Sequence, residues 1–81
     1  MIKVLFFAQV KALVGCDAIE LDDSFTSVEQ IRTHLCAKGD QWARALEDGR
    51  LLVAVNQVIS SFDAKVNAND EVAFFPPVTG G

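Results

Sequence analysis

The groups best suited to do chemistry lie at one end of this 81-residue chain. Its last stretch reads Glu71-Val72-Ala73-Phe74-Phe75-Pro76-Pro77-Val78-Thr79-Gly80-Gly81, so the final group is a main-chain carboxylate on an unhindered glycine. Such a carboxylate is a poor acyl donor until a leaving group, such as a nucleotide in an acyl-adenylate, replaces its charge. An adenylated Gly81 would accept sulfur to become a thiocarboxylate, or a lysine amine to become an amide. The residues leave both outcomes open, beside the plainer reading of a frayed terminus.

Conventional catalytic machinery is harder to assemble. His34 is the single histidine, on a helix flank without a serine, cysteine or carboxylate constellation around it, and it reads as a surface or packing residue. Cys36 reads as a small half-buried side chain, and Cys16, between Gly15 and Asp17, carries no sign of an activated thiolate. Asp17, Glu20 and Asp22 alternate along a strand but lack a metal-ligand spacing, so no metal is expected. There is no GxxxxGK[ST] phosphate loop; if ATP is consumed, another protein must bind it.

Length allows one small domain with one core, and 51% hydrophobic residues exclude a disordered composition. The net charge is −4 and the pI about 4.6, with seven basic residues (Lys3, Lys11, Lys38, Lys65, Arg32, Arg44, Arg50) spread rather than massed. That argues against nucleic acid as a partner and suits a protein with a basic docking face. No acidic side chain follows Glu71, so the tail would enter a partner with only its terminal carboxylate as charge. The apolar run at the start is too short for a membrane span and lacks a secretory processing pattern. Two cysteines without CxxC spacing then suggest reduced thiols and a cytoplasmic protein.

Positioning the tail falls to a short series of elements. Ile2 to Ala8 reads as a strand with Ile2, Val4 and Phe6 on a buried face. Leu5 and Phe7, on the other face, need a covering helix or a partner, and Phe7 taken by itself reads first as a core or edge-packing residue of its own domain. Val10 to Val14 reads as a short helix closed by Gly15, and Asp17 to Leu21 as a second strand pairing with the first. Thr26-Ser27-Val28-Glu29 has the form of a capping box from Thr26 to Glu29. Val28, Ile31 and Leu35 continue it as the principal helix, expected to end at Lys38-Gly39 with glycine in a left-handed cap. Asp40 to Asp48 reads as a second helical piece, with Trp42 as a core plug rather than a binding residue. Leu51 to Val55 is an interior strand, and Val58-Ile59 a short exposed turn or strand.

Asn69 suits a left-handed turn before the last strand, which the prolines end near Phe75 because they remove two backbone donors. The six residues after Phe75 reach roughly 20 Å when extended. Residues 1–75 are thus expected to be one globular domain, and residues 76–81 an extended tail. A mixed sheet with one principal helix on one face satisfies the layer rule, with the first and last strands parallel neighbours.

Continuous agreement along three segments carries a family resemblance. They are Val4-Leu5-Phe6-Phe7-Ala8 with the short helix after it, Leu52-Val53-Ala54-Val55-Asn56-Gln57, and Asp70-Glu71-Val72-Ala73-Phe74-Phe75-Pro76-Pro77-Val78-Thr79-Gly80-Gly81. The chain resembles, over essentially its full length, the small sulfur-carrier subunits of molybdopterin synthase, ubiquitin-like proteins of the β-grasp fold in the α+β class. The resemblance implies that a separate ATP-dependent enzyme adenylates Gly81 and that a sulfur-donor protein converts it to a thiocarboxylate. No cofactor would be bound stably by the carrier itself. The charged tail would enter the large catalytic subunit, where sulfur passes to cyclic pyranopterin monophosphate to build molybdopterin. The resemblance also implies a heterotetramer of two carriers on a large-subunit dimer.

By the same resemblance Gly81 bears the acyl and sulfur groups, and Gly80 fits the narrow channel. Thr79 and Val78 lie along the groove, Pro77 and Pro76 aim the tail, and Phe7, Ile59 and Phe75 form an apolar partner-facing patch. Lys11 stands at a partner-facing position where relatives often carry arginine, and Asn69 where they commonly carry glycine. Three competing functions follow from the same ending: a sulfur carrier of another pathway such as thiamine biosynthesis, a protein modifier joined to lysines, and a plain binding module indifferent to loss of Gly80-Gly81.

Overall fold

Ile2, Val4 and Phe6 alternate with Lys3 and Leu5, and this period of two places three large side chains on one face of β1 (Ile2–Phe6), where all are buried. A computed structural model of the chain describes residues 1–47 and 49–77. After β1 come α1 (Ala8–Val14), β2 (Ala18–Leu21), α2 (Val28–Cys36), α3 (Asp40–Leu46), β3 (Leu52–Val55), β4 (Val58–Ser60) and β5 (Glu71–Phe75). The five strands form one mixed sheet in the order β2-β1-β5-β3-β4. β1 and β5 are parallel, with Val4 beside Val72 and Phe6 beside Phe74, and every other neighbouring pair is antiparallel. The expected α+β architecture, with a parallel first and last strand, is the one observed.

All three helices bury their apolar residues on the Ile2/Val4/Phe6 side of the sheet: Val10 from α1, Val28, Ile31 and Leu35 from α2, and Ala45 and Leu46 from α3. Phe6, Phe74 and Phe62 stack in series at 6.3 and 6.5 Å, and Trp42 meets the Phe6 ring edge-on at 5.5 Å. Trp42 is therefore packed against the core, with Lys38 Nζ 5.2 Å from its ring centroid on the outside. Among the described residues no helix is long and apolar enough to cross a membrane.

Three local expectations are corrected. The N-cap of α2 is Ser27, not Thr26: Ser27 Oγ accepts from Gln30 N–H at 3.2 Å, and Gln30 Oε1 accepts from Thr26 N–H at 2.8 Å. Glu29, freed from that duty, pairs with Arg32 at 2.7 Å. Gly39 is not a left-handed C-cap either. α2 ends at Cys36 with Ala37 capping it, and Gly39, at φ 154, turns the chain straight into α3 as that helix's N-cap. β1 stops at Phe6 because Ala8 takes φ 52 and opens α1 two residues earlier than Val10.

Gly15 closes α1 as expected, at φ 81. Asn56 and Gln57 both have positive φ and join β3 to β4 as a two-residue hairpin across Val55 and Val58. Asparagine tolerates that region, but glutamine has no such dispensation. Gln57→Gly is expected to raise unfolding stability by about 0.5–1 kcal/mol, the left-handed strain relieved less the added freedom of the unfolded chain. Chemical denaturation at matched pH reads the difference.

Asn69 also sits at positive φ (67), and its side-chain oxygen accepts from the Met1 amino group at 3.0 Å. Next to it, Asp70 ties the β3–β4 hairpin to the start of β5. Its carboxylate accepts from Asn56 Nδ2 at 3.0 Å and Asn67 N–H at 2.8 Å. Those bonds, Asn56 first, hold its pKa below the ordinary carboxylate value of 3.8. A depressed folded pKa gives stability that is full above the ordinary value and lost as pH falls through the folded one. Asp70→Asn is accordingly expected to be less stable than the parent at neutral pH, with the gap closing as pH drops below 3.8, in thermal melts across an acid series.

Candidate functional site: the outer sheet face and the tail root

The face of the sheet away from the helices is ordered in rows by the strand register. Leu5 lies between Ala18 on β2 and Ala73 on β5, and the line continues through Ala54 on β3 to Ile59 on β4. One aliphatic row therefore crosses all five strands. Toward the end of β5 the next row is larger: Phe75 pairs with Leu52, and Phe7, one step past β1, keeps the same outward parity. Phe7 is held there by its backbone. Its N–H donates to the Phe74 carbonyl at 3.2 Å, and its carbonyl accepts from Val10 and Lys11 at 3.1 and 3.3 Å.

Phe7, Ile59 and Phe75 are thus brought to one shallow hollow, floored by Leu5, Ala54 and Ala73. Phe7 remains 48% exposed and Ile59 65%, unusual for large apolar side chains in a domain whose aromatic residues outside this row (Phe6, Phe25, Trp42, Phe62 and Phe74) pack in or against the core. Lys11 stands apart from this hollow. It lines a neighbouring one with Lys3, Ala8 and Asp17, and the two hollows share Leu5 and Phe7. Sequence reasoning passed over Ala54 and Ala73, since Val72-Ala73-Phe74-Phe75 is apolar throughout and shows no alternation to read.

β5 ends at Phe75, where two prolines follow: Pro76 half-buried and Pro77 exposed. The chain leaves the sheet from the end of its middle strand, beside Phe7 and Phe75, so whatever covers the aromatic row also meets the root of the tail. Val78, Thr79, Gly80 and Gly81, assigned to the channel and to the reactive terminus, lie outside the described residues.

The side chains set aside as non-catalytic are dispersed. Among the described residues no group of three or more His, Cys, Asp or Glu could hold a metal ion. His34 is exposed and lies edge-on to Phe25 at 5.1 Å. Both cysteines are unpaired in any disulfide. Burial, with help from the Glu47 carboxylate, pushes the Cys36 thiol up, which suppresses the thiolate a nucleophile requires. Asp22 accepts from the Ser24 N–H at 2.9 Å as a turn device.

The comparison with known proteins supplies the family. A family model described as the ThiS family matches residues 4–81, through the terminal glycines. The chain belongs to the ThiS family. It is 63% identical over 81 residues to a molybdopterin synthase sulfur carrier subunit of Escherichia coli strain K12, covering all of both chains. To the protein of the same name in Haemophilus influenzae it is 57% identical, again over all of both. In architecture this ThiS-family chain is similar to the Haloferax volcanii HVO 2177 protein, at 30% identity and a TM-score of 0.75, covering 99% of this chain and 85% of that one.

Proposed function

We propose that this chain is the sulfur carrier and small, non-catalytic subunit of a molybdopterin synthase, presenting sulfur as a thiocarboxylate on Gly81. Full-length likeness at 63% identity to a curated sulfur carrier subunit carries the reading. The exposed aromatic row at the tail root supports it, because such a surface is what a carrier needs to seat on the protein that receives its tail.

The chemistry divides between this chain and its partners. An adenylating enzyme binds ATP, and the Gly81 carboxylate attacks the α-phosphate, releasing pyrophosphate and leaving an acyl-adenylate. Sulfur supplied by a donor protein at the hydrosulfide level adds to the acyl carbon and AMP departs, leaving –C(O)S⁻. Glycine at positions 80 and 81 gives the least hindrance at that carbon and the thinnest chain for a channel. Pro76 and Pro77 restrict the backbone beyond Phe75 and favour an extended departure from the body. In the large subunit the terminal sulfur attacks cyclic pyranopterin monophosphate, and hydrolysis restores the Gly81 carboxylate. Two loaded carriers are consumed per dithiolene. Phe7, Ile59 and Phe75 form the docking face, with Lys11 beside it.

The test is reconstitution with the adenylating enzyme, ATP and a sulfur donor, followed by intact mass and fragmentation. The expected product shows the gain of one oxygen-for-sulfur exchange, confined to the C-terminal peptide. An unchanged mass refutes sulfur loading, and a stable bond between Gly81 and a lysine amine would assign the chain to protein modification instead.

A further inference from the structure

Below the aliphatic row, at the end of the outer face farthest from the tail, the register sets three charges side by side. Lys3 on β1 lies between Glu20 on β2 and Glu71 on β5, and the line runs on to Asn56, whose side-chain oxygen accepts from the Glu71 N–H at 3.0 Å. The face is therefore graded along the strands: charged row, aliphatic row, aromatic row, tail. Four residues of strand separate Glu71 from Phe75, about 13 Å, with the aliphatic row between them. Neither glutamate, nor Lys3, enters the ion pairs found among the described residues, which join Met1 to Asp23 and Arg32 to Glu29.

Lys3 and Glu20 are exposed and Glu71 half-buried, so the charges are accessible from the side on which the apolar rows dock. One ammonium among two carboxylates leaves the row acidic. An apolar field alone fixes contact but not heading, since hydrophobic attraction is non-directional. A charged row at the opposite end from the tail supplies the missing direction.

We infer that the Glu20–Lys3–Glu71 row is the orienting element of the docking face, and that it meets a basic side chain on the large subunit of the synthase. This rests on the proposed function for the identity of the partner and adds the chemistry at the far rim of the contact. Lys3 moderates the row: it lies opposite both glutamates and lowers the field the partner's cation experiences.

Two variants with opposite expected signs test it. At low salt the double variant Glu20→Gln/Glu71→Gln binds the large subunit about fivefold more weakly than the parent, and Lys3→Gln binds about twofold more tightly. Both differences shrink toward the parent value at high salt. Affinity is read by calorimetry or interferometry with full-length carrier. Failure to fold cannot produce the tighter binding expected of Lys3→Gln. If the parent binds but the double variant binds equally well at low salt, or Lys3→Gln binds more weakly, the orienting role is overturned and the carrier function stands. If the parent itself does not bind the large subunit, the proposed function falls, and this inference falls with it.

Discussion

A chain ending at Gly80 is expected to keep the stability of the parent and to accept no sulfur. Every buried apolar residue described belongs to positions 2–74, so removal of the last residue leaves that core untouched. What changes is reach. Shortening by one residue draws the terminal carboxyl back by about 3.5 Å, whereas a misplacement of about 1 Å is enough to cost about 100-fold in a positioned reaction. Thermal melts should overlay those of the parent, while intact mass after reconstitution should show no oxygen-for-sulfur exchange. A shortened chain that loads normally would move the working group elsewhere; one that unfolds would make the tail part of the fold.

Truncating Phe7 should produce the second large effect, this time on association. Phe7→Ala is expected to weaken binding to the large subunit by about 1–4 kcal/mol, the range for an aromatic anchor buried in an interface. Its cost to folding should be much smaller, because the ring is 48% exposed in the isolated chain while its backbone bonds to Phe74, Val10 and Lys11 survive the substitution. Phe74, fully buried in the ring stack, offers the contrasting case in which folding and binding would fall together. Titration calorimetry paired with denaturation separates the two. Equal affinity for Phe7→Ala and parent would remove the aromatic row from the docking face.

How far the sequence discloses this arrangement depends on the range of the forces involved. The end of β5 was legible because Pro76 and Pro77 lack backbone donors, a purely local chemical fact. The outward Phe7 was legible only in part: Ile2, Val4 and Phe6 claim the other parity of β1, but period two alone reads Phe7 as packing within its own domain, and only the family resemblance turns it outward. The start of α2 was not, because Thr26-Ser27 followed by Glu29-Gln30 offers two overlapping capping boxes of equal local merit. A segment distant in sequence, between β4 and β5, breaks the tie. Val66 N–H donates to the Thr26 carbonyl at 2.9 Å and Val28 N–H to the Ala64 carbonyl at 3.1 Å, with Ser27 bridged to Lys65 between them.

Gly39 misled for a related reason. A glycine after a helix ordinarily closes it, but α3 begins at once, and the junction needs a backbone at φ 154 that only glycine supplies cheaply. The graded rows of the outer sheet face were hidden more deeply. Ala18, Leu5, Ala73, Ala54 and Ile59 come from five strands, and only the pairing register places them in one line. The terminal chemistry is the reverse case: its meaning lay in Gly80-Gly81 and their continuity with the family pattern, not in any fold-level geometry.

The most direct measurement follows sulfur through one turnover. Carrier loaded with heavy-isotope sulfur is mixed with the large subunit and cyclic pyranopterin monophosphate, and both the chain terminus and the dithiolene product are weighed. The label should leave Gly81 as product forms, with the chain returning to its carboxylate mass and two carriers discharged per molybdopterin. Product that forms while the label stays on the chain, or product that carries none of it, would contradict a sulfur-bearing terminus as the chain's working group.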